Sequence, residues 1–322
     1  MTDIVQKESA RVPWPAVIVY IIVALGLGWL VALPLWVSGD GLASPWAPWI
    51  LRGMMFAPTI AMLVAVFVMR TPRTGRLRFL GMWPLRPTGR FIGMLVVALF
   101  APIVVVVVTT CVAAVLGLVR VDLVNFSGYA QQLQALAPGQ PLPPMVVLVI
   151  VQLVMIPGGA LVNSIFTAGE ELGWRGWLLP ALRPLGTWPA IVLTGIVWGV
   201  WHAPVILLGY DFGRTDVVGV LLMIGACVAW GALLGWLRLR SASVWPAVLA
   251  HGSLNAVGGL ILLLVAAGEQ PDLAIVGPLG VISWCVLAVF MVLLALCGQF
   301  RKQPSPGEQG VTRTTRGGRI GA

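Results

Sequence analysis

Long apolar stretches separated by short polar ones dominate the chain. Runs of spanning length fall at about 14–37, 48–69, 91–119, 145–168, 188–209, 217–237, 242–266 and 274–298, each close to the ~20 apolar residues a helix needs to cross a hydrocarbon core about 30 Å thick. These unbroken runs differ from the ~10-residue alternating strands of an outer-membrane barrel. The pattern predicts an all-α, polytopic membrane helix bundle of about eight transmembrane helices. The first run is about 24 residues long, follows a 13-residue arm and lacks a small-residue cleavage motif, so it is expected to remain as an anchor.

Composition agrees. Of 322 residues, 59% are hydrophobic and 10% charged, with a mean hydropathy of +0.97, against roughly 25% charged in a soluble domain. The net charge of +9 is mostly arginine between the apolar runs, and it reads as topology. Lys7 and Arg11, then Arg70, Arg73, Arg76, Arg78, Arg86 and Arg90, then Arg175 and Arg183, then Arg238 and Arg240, and finally Arg301, Lys302, Arg313, Arg316 and Arg319 fall in alternate connections. The other connections hold Asp40, Asp122, Asp211, Asp216, Glu269 and Asp272 with Arg120 and Arg214 as their basic residues. Cytoplasmic loops carry the Lys and Arg, so both termini are expected in the cytoplasm. No soluble stretch is long enough for a basic nucleic-acid-binding face, and no nucleic-acid partner is expected. Residues 1–13 read as a cytoplasmic arm, 14–300 as one transmembrane domain, and 301–322 as a disordered basic tail. Cys111, Cys227, Cys285 and Cys297 lie in apolar runs without CxxC spacing and read as packing residues. Gly195/Gly199 and Gly231/Gly235 suggest close helix crossings.

Ionisable groups inside a bilayer are costly, by about 2.5–3.5 kcal/mol on insertion scales, so each needs a partner or a task. Arg52 lies near an interface and can snorkel. Three clusters remain. In Glu170-Glu171-x-x-x-Arg175, Glu171 and Arg175 share a helical face; the pair can brace Glu171 and leave Glu170, about 100° around, free to serve as a general base. In Trp198-x-x-x-His202-Ala-Pro204, the indole can wall one side of the imidazole, and Pro204 is expected to bend the helix just beyond His202. In His251-x-x-x-Asn255, imidazole and carboxamide share a face and can hold an oxyanion or a water. His202 and His251 are the two histidines of the chain. An interfacial ion pair and interhelical hydrogen bonds would give the same spacings without chemistry.

Together these groups supply base, acid or ligand, and oxyanion donors for amide hydrolysis. Glu170, His202 and His251 also form a His₂Glu set of the kind that binds catalytic Zn²⁺; a metal-free glutamate mechanism is equally compatible with the sequence. The other readings are a proton- or ion-coupled transporter and a non-catalytic bacteriocin-immunity membrane protein.

In order and placement the three clusters resemble the CPBP group, comprising type II CAAX prenyl endopeptidases and bacteriocin-processing or self-immunity proteins, also called the Abi family. The motifs cover about residues 165–260, with a family core at about 145–266. The resemblance implies an intramembrane endopeptidase acting on a membrane-associated peptide or protein near the cytoplasmic face; the simple polytopic make-up suits the plasma membrane of a bacterial cell. It implies that Glu170 activates water with help from His202, that Glu171 and Arg175 support it, and that His251 with Asn255 holds the oxyanion or a metal. Trp198 stands where Phe is more usual in that group.

Overall fold

A chain this apolar, crossing back and forth, has to satisfy its backbone within each crossing, and helices do so. The computed structural model describes residues 11–300; residues 1–10 of the expected arm and the expected tail at 301–322 lie outside them. The helices that position the site are α1 (Trp14–Val37), α2 (Ala47–Met54), α3 (Ala57–Leu63), α4 (Thr88–Val115), α5 (Met145–Glu171), α6 (Thr187–Trp201), α7 (Val217–Ser241), α8 (Trp245–Val257), α9 (Leu260–Leu264) and α10 (Val281–Leu296). Among the described residues there is no β-strand beyond an isolated bridge between Val121 and Val265. The protein is an integral, multi-pass membrane protein: among the described residues seven helical stretches are long and apolar enough to cross a membrane, and the shorter apolar α6 lies at the expected fifth crossing.

Two stretches differ from the expected runs. The fourth does not stop near residue 168 but continues as helical turns to Leu185, through a π-helix at Leu172–Leu178 whose residues from Gly173 onward are buried. The fifth is shorter than expected: α6 ends at Trp201, His202 caps it, and a separate turn, Ala203–Ile206, follows. Pro204 has no N–H to give the preceding turn, so the helix is interrupted at His202 where a bend beyond it was expected.

Small residues set the closest crossings. A Cβ on Gly195 would sit 2.7 Å from Val228 Cα, and one on Gly199 would sit 2.4 Å from Ile224 Cα; the two glycines let α6 lie directly on α7. Across the bundle, a Cβ on Gly252 would meet Ala160 O at 2.5 Å, which seats α8 on α5.

The bundle has two unlike ends. At one, the loop holding Arg70, Arg73, Arg76, Arg78 and Arg86 folds over the turn between α7 and α8: Val244 N donates to Gly81 O at 3.0 Å and Trp245 Nε1 to Met82 O at 3.2 Å. Arg238 is buried under this loop, where it donates to Phe79 O at 2.7 Å and to Arg175 O at 3.0 Å. Gly81 has φ +70°, and a Cβ there would lie 2.7 Å from Arg238 Cζ, so glycine is required on both counts. Arg175 and Arg238, which the charge pattern counts among loop cations, are therefore interior. At the other end Arg120 pairs with Glu269 at 2.6 Å and Arg214 with Asp216 at 2.8 Å. Apart from Glu170 and Glu171, all Asp and Glu of the described residues lie in the connections at this second, acidic end.

Candidate functional site

Glu170 and Glu171 stand at the last turn of α5, held by close backbone contact on two sides. Gly169 and Gly173 flank them; a Cβ on Gly169 would come within 2.7 Å of Met55 O, and one on Gly173 within 2.5 Å of Pro58 O. Thr59 Oγ1 donates to Gly169 O at 2.6 Å, and Thr167 Oγ1 to Val248 O at 2.9 Å. The middle of the second crossing and the start of α8 thus grip α5 at the level of the two glutamates. That level is inside the bundle, because the helical turns that follow are buried as well.

The two glutamates face different partners. Glu171 Oε1 accepts from Arg175 Nη1 at 2.8 Å and from His251 Nδ1 at 3.0 Å, with Glu171 and Arg175 almost wholly buried. The i,i+4 spacing expected of Glu171 and Arg175 is realised, although Arg175 sits in the π-helix, an insertion common at functional sites. The Arg175 guanidinium also lies over the Trp198 ring at 4.2 Å. Glu170 turns the other way, and its Oε2 accepts from Trp198 Nε1 at 2.7 Å.

Both imidazoles are oriented through Nδ1. A carbonyl oxygen can only accept, so the 2.9 Å contact between His202 Nδ1 and Trp198 O places the proton on Nδ1 and leaves Nε2 as the acceptor. His251 donates through Nδ1 to Glu171, which again leaves Nε2. Trp198 touches all the parts: its ring is 5.9 Å from that of His202 and 5.3 Å, edge-on, from that of His251. Trp201 closes edge-on over His202 at 4.7 Å.

Glu170, His202, His251 and Asn255 line one cavity of about 530 Å³. Glu171 and Arg175 lie behind it. The cavity continues past Asn163 and Phe166 on α5 and past Met223 and Cys227 on α7 to Tyr210, Asp211 and Phe212 in the connection before α7. Each of these lies toward the acidic end from Glu170. The opposite side is closed by the buried Trp174, Trp177 and Leu178 and by Arg238 beneath its loop. The helices fit tightly at the Arg-rich end, and the cavity lining lies toward the other.

The wall also contains residues that the sequence reading did not place in a site. Arg52 is one, with its guanidinium 5.5 Å above the Phe166 ring. Asn163 is another, bonded to Gly159 O at 2.9 Å. Cys227 is buried with Sγ 3.9 Å from His202 Nδ1. Asp211 takes a left-handed turn at φ +63°, and burial raises its carboxyl to about 7. A polar residue within an apolar run was the available signal for Asn163; Cys227 offered none.

The free Nε2 atoms are of the kind a metal ion takes. Among the described residues, however, no three His, Cys, Asp or Glu side chains converge closely enough to hold an ion. Glu170, His202 and His251 share a cavity without closing around a common point.

Residues 142–257 match the family model described as type II CAAX prenyl endopeptidase Rce1-like. That span runs from the start of α5 to the end of α8 and includes the three motifs. The segment that carries the site is thus similar to the Rce1-like family, in keeping with the CPBP resemblance. A curated relative, CAAX prenyl protease 2 of Methanococcus maripaludis, is 28% identical over 92 residues, covering 27% of this chain. The match spans about a third of that relative's length, 34%.

Proposed function

We propose that the protein is an intramembrane endopeptidase that hydrolyses a peptide bond with water activated by Glu170, without a metal. The observation that carries this reading is that Glu170 and both histidines, taken from three helices, line one cavity around Trp198. The family match over the same segment supports the reaction class.

Trp198 holds one oxygen of Glu170, so the other is the base. Water gives a proton to Glu170 as its oxygen bonds to the peptide carbonyl carbon, and the C=O pair moves onto oxygen. The Asn255 carboxamide, on the cavity wall one turn from His251, donates to that oxyanion. Glu171, neutralised by Arg175, fixes His251 through Nδ1 and turns its Nε2 toward the same space. The C–N bond then breaks, the carbonyl re-forms, and the proton taken from water passes to the departing nitrogen, directly from Glu170 or by way of His202 Nε2. The products are one new carboxyl group and one new amine. The cavity is closed at the Arg-rich end, which suits a reaction chamber better than a path for protons or ions across the membrane.

The test is cleavage of a quenched apolar peptide library by the detergent-purified protein and by Glu170→Ala. Loss of cleavage in the variant is expected, with the parent's activity unchanged by a chelator. Equal cleavage by both proteins removes the proposal, and loss to a chelator with recovery on adding Zn²⁺ removes its metal-free form.

A further inference from the structure

One helix packed behind the site lies outside the matched span, and a side chain on it faces the buried ion pair. On α1, Tyr20, Ala24 and Gly28 follow at four-residue spacing, share a face and are all buried. A Cβ on Gly28 would come within 2.3 Å of Trp201 Nε1, so α1 is seated against the ring that closes over His202. About two turns back along the same face, the Tyr20 ring stacks on Trp177 at 4.9 Å and meets Trp174 edge-on at 5.8 Å. Trp174 in turn meets Trp201 edge-on at 6.1 Å. These contacts hold the Tyr20 side chain against the π-helix that carries Arg175 and begins directly after Glu171.

The polar atoms of this layer do not balance. Tyr20 is wholly buried, and its hydroxyl has no hydrogen-bond partner. Glu171 is as deeply buried, and its Oε1 takes both donors, Arg175 Nη1 and His251 Nδ1, while Oε2 has none. Enclosed donors and acceptors are rarely left unpaired, because each forfeits its bonds to water on burial. Of the charged groups that act on the Tyr20 hydroxyl, Glu171 acts most strongly, ahead of Arg175 and Glu170. A donor and an acceptor beyond direct reach of each other are joined at little cost by one enclosed water.

We infer that Tyr20 is a positioning residue: its hydroxyl donates, by way of one enclosed water, to Glu171 Oε2 and so sets the plane of the carboxylate that orients His251. With Oε2 tied, Oε1 stays on His251 Nδ1, the ring keeps its proton there, and Nε2 is left as the acceptor. Without the tie the carboxylate can turn both oxygens to Arg175, and His251 loses the bond that fixes its tautomer. The consequence for rate rests on the peptidase reading; the consequence for the imidazole does not.

The experiment uses the full chain with isotope-labelled histidine, so that His202 and His251 give the histidine nitrogen resonances. Tyr20→Phe keeps the ring contacts and removes the hydroxyl. Both rings of the parent are expected as the Nδ1–H tautomer. In Tyr20→Phe, His251 is expected to become a mixture of Nδ1–H and Nε2–H forms, while His202, held by Trp198 O, does not change. Adding Tyr20→Phe to Glu171→Gln is expected to change the His251 signals no further, because the two groups act as one unit. An unchanged His251 in Tyr20→Phe overturns the inference, and so does an equal effect in both backgrounds, which altered packing alone would give. With the quenched peptide library, Tyr20→Phe is expected to lower kcat about fivefold, the equivalent of one neutral hydrogen bond, with KM unchanged. A change in KM alone overturns the positioning role in the reaction. The expected tautomer change in a protein whose parent cuts no peptide upholds the tie between Tyr20 and Glu171 and overturns the peptidase reading.

Discussion

Trp198 donates its indole N–H to Glu170 at 2.7 Å and accepts, through its backbone carbonyl, the Nδ1 proton of His202 at 2.9 Å. One residue thus orients the proposed base and its neighbouring imidazole together. A phenylalanine in its place would keep an aromatic wall against His251 and Arg175 but would lose the bond to the carboxylate. Trp198→Phe is therefore expected to lower kcat about tenfold or more, the kinetic equivalent of a charge-assisted hydrogen bond worth about 1.5–3 kcal/mol. KM and the melting temperature should change little. Unaltered kcat in peptide-cleavage assays would show that the indole N–H has no part in positioning Glu170.

The buried Glu171–Arg175 pair invites a different measurement. Removing one partner leaves a charge without its counter-ion in a dry interior, at a cost of about 3–5 kcal/mol, whereas replacing both is often far milder. Arg175→Met should melt well below the parent in detergent, and Glu171→Gln/Arg175→Met should recover much of the loss. Activity should stay low in both, because Arg175 no longer neutralises the group that holds His251. Equal melting of parent and single variant would mean that the pair contributes nothing to the fold.

Close contact between α6 and α7 gives the third prediction. Gly199→Ala would push a methyl group to within 2.4 Å of the Ile224 backbone, where no side-chain rotation can relieve it, so the helices must part. The expected result is a melting point several degrees lower and a weakened site, since α6 carries Trp198 and His202. Gly26→Ala on α1 has open space around its Cβ and should be neutral or slightly stabilising, as Ala is the better helix former. Similar melting of the two variants would refute the packing argument.

These relationships differ in how far the sequence discloses them. Apolar runs of crossing length announce the helices because the bilayer demands that length, and a four-residue spacing announces the Glu171–Arg175 contact because helical geometry fixes it. Neither rule reaches across the bundle. Arg238 reads as a loop cation until Phe79, 159 positions away, supplies the carbonyl that buries it. Trp198 reads as a wall until Glu170, 28 positions away, receives its N–H. Arginine counts distinguish the two ends of the bundle, but where the helices separate depends on Gly195, Gly199 and Gly252 meeting particular neighbours. For that reason the cavity's direction is legible in the structure and not in the sequence.

Asp211 supplies the pH dependence. It lies in the connection before α7, on the cavity wall, and burial raises its carboxyl to about 7, whereas an unfolded aspartate titrates near ~3.9. Between these values the folded protein holds a proton that the unfolded chain has released, so stability falls as pH rises across that interval. The contribution is complete below about pH 4 and is lost as pH climbs through about 7. Asp211→Asn cannot ionise, and its melting temperature should decline less than the parent's from pH 4.5 to 7.5 and exceed it at the upper limit. Parallel melting curves for the two proteins over that range would show that the Asp211 carboxyl titrates as though in water, and that this part of the cavity wall is wetter than its packing indicates.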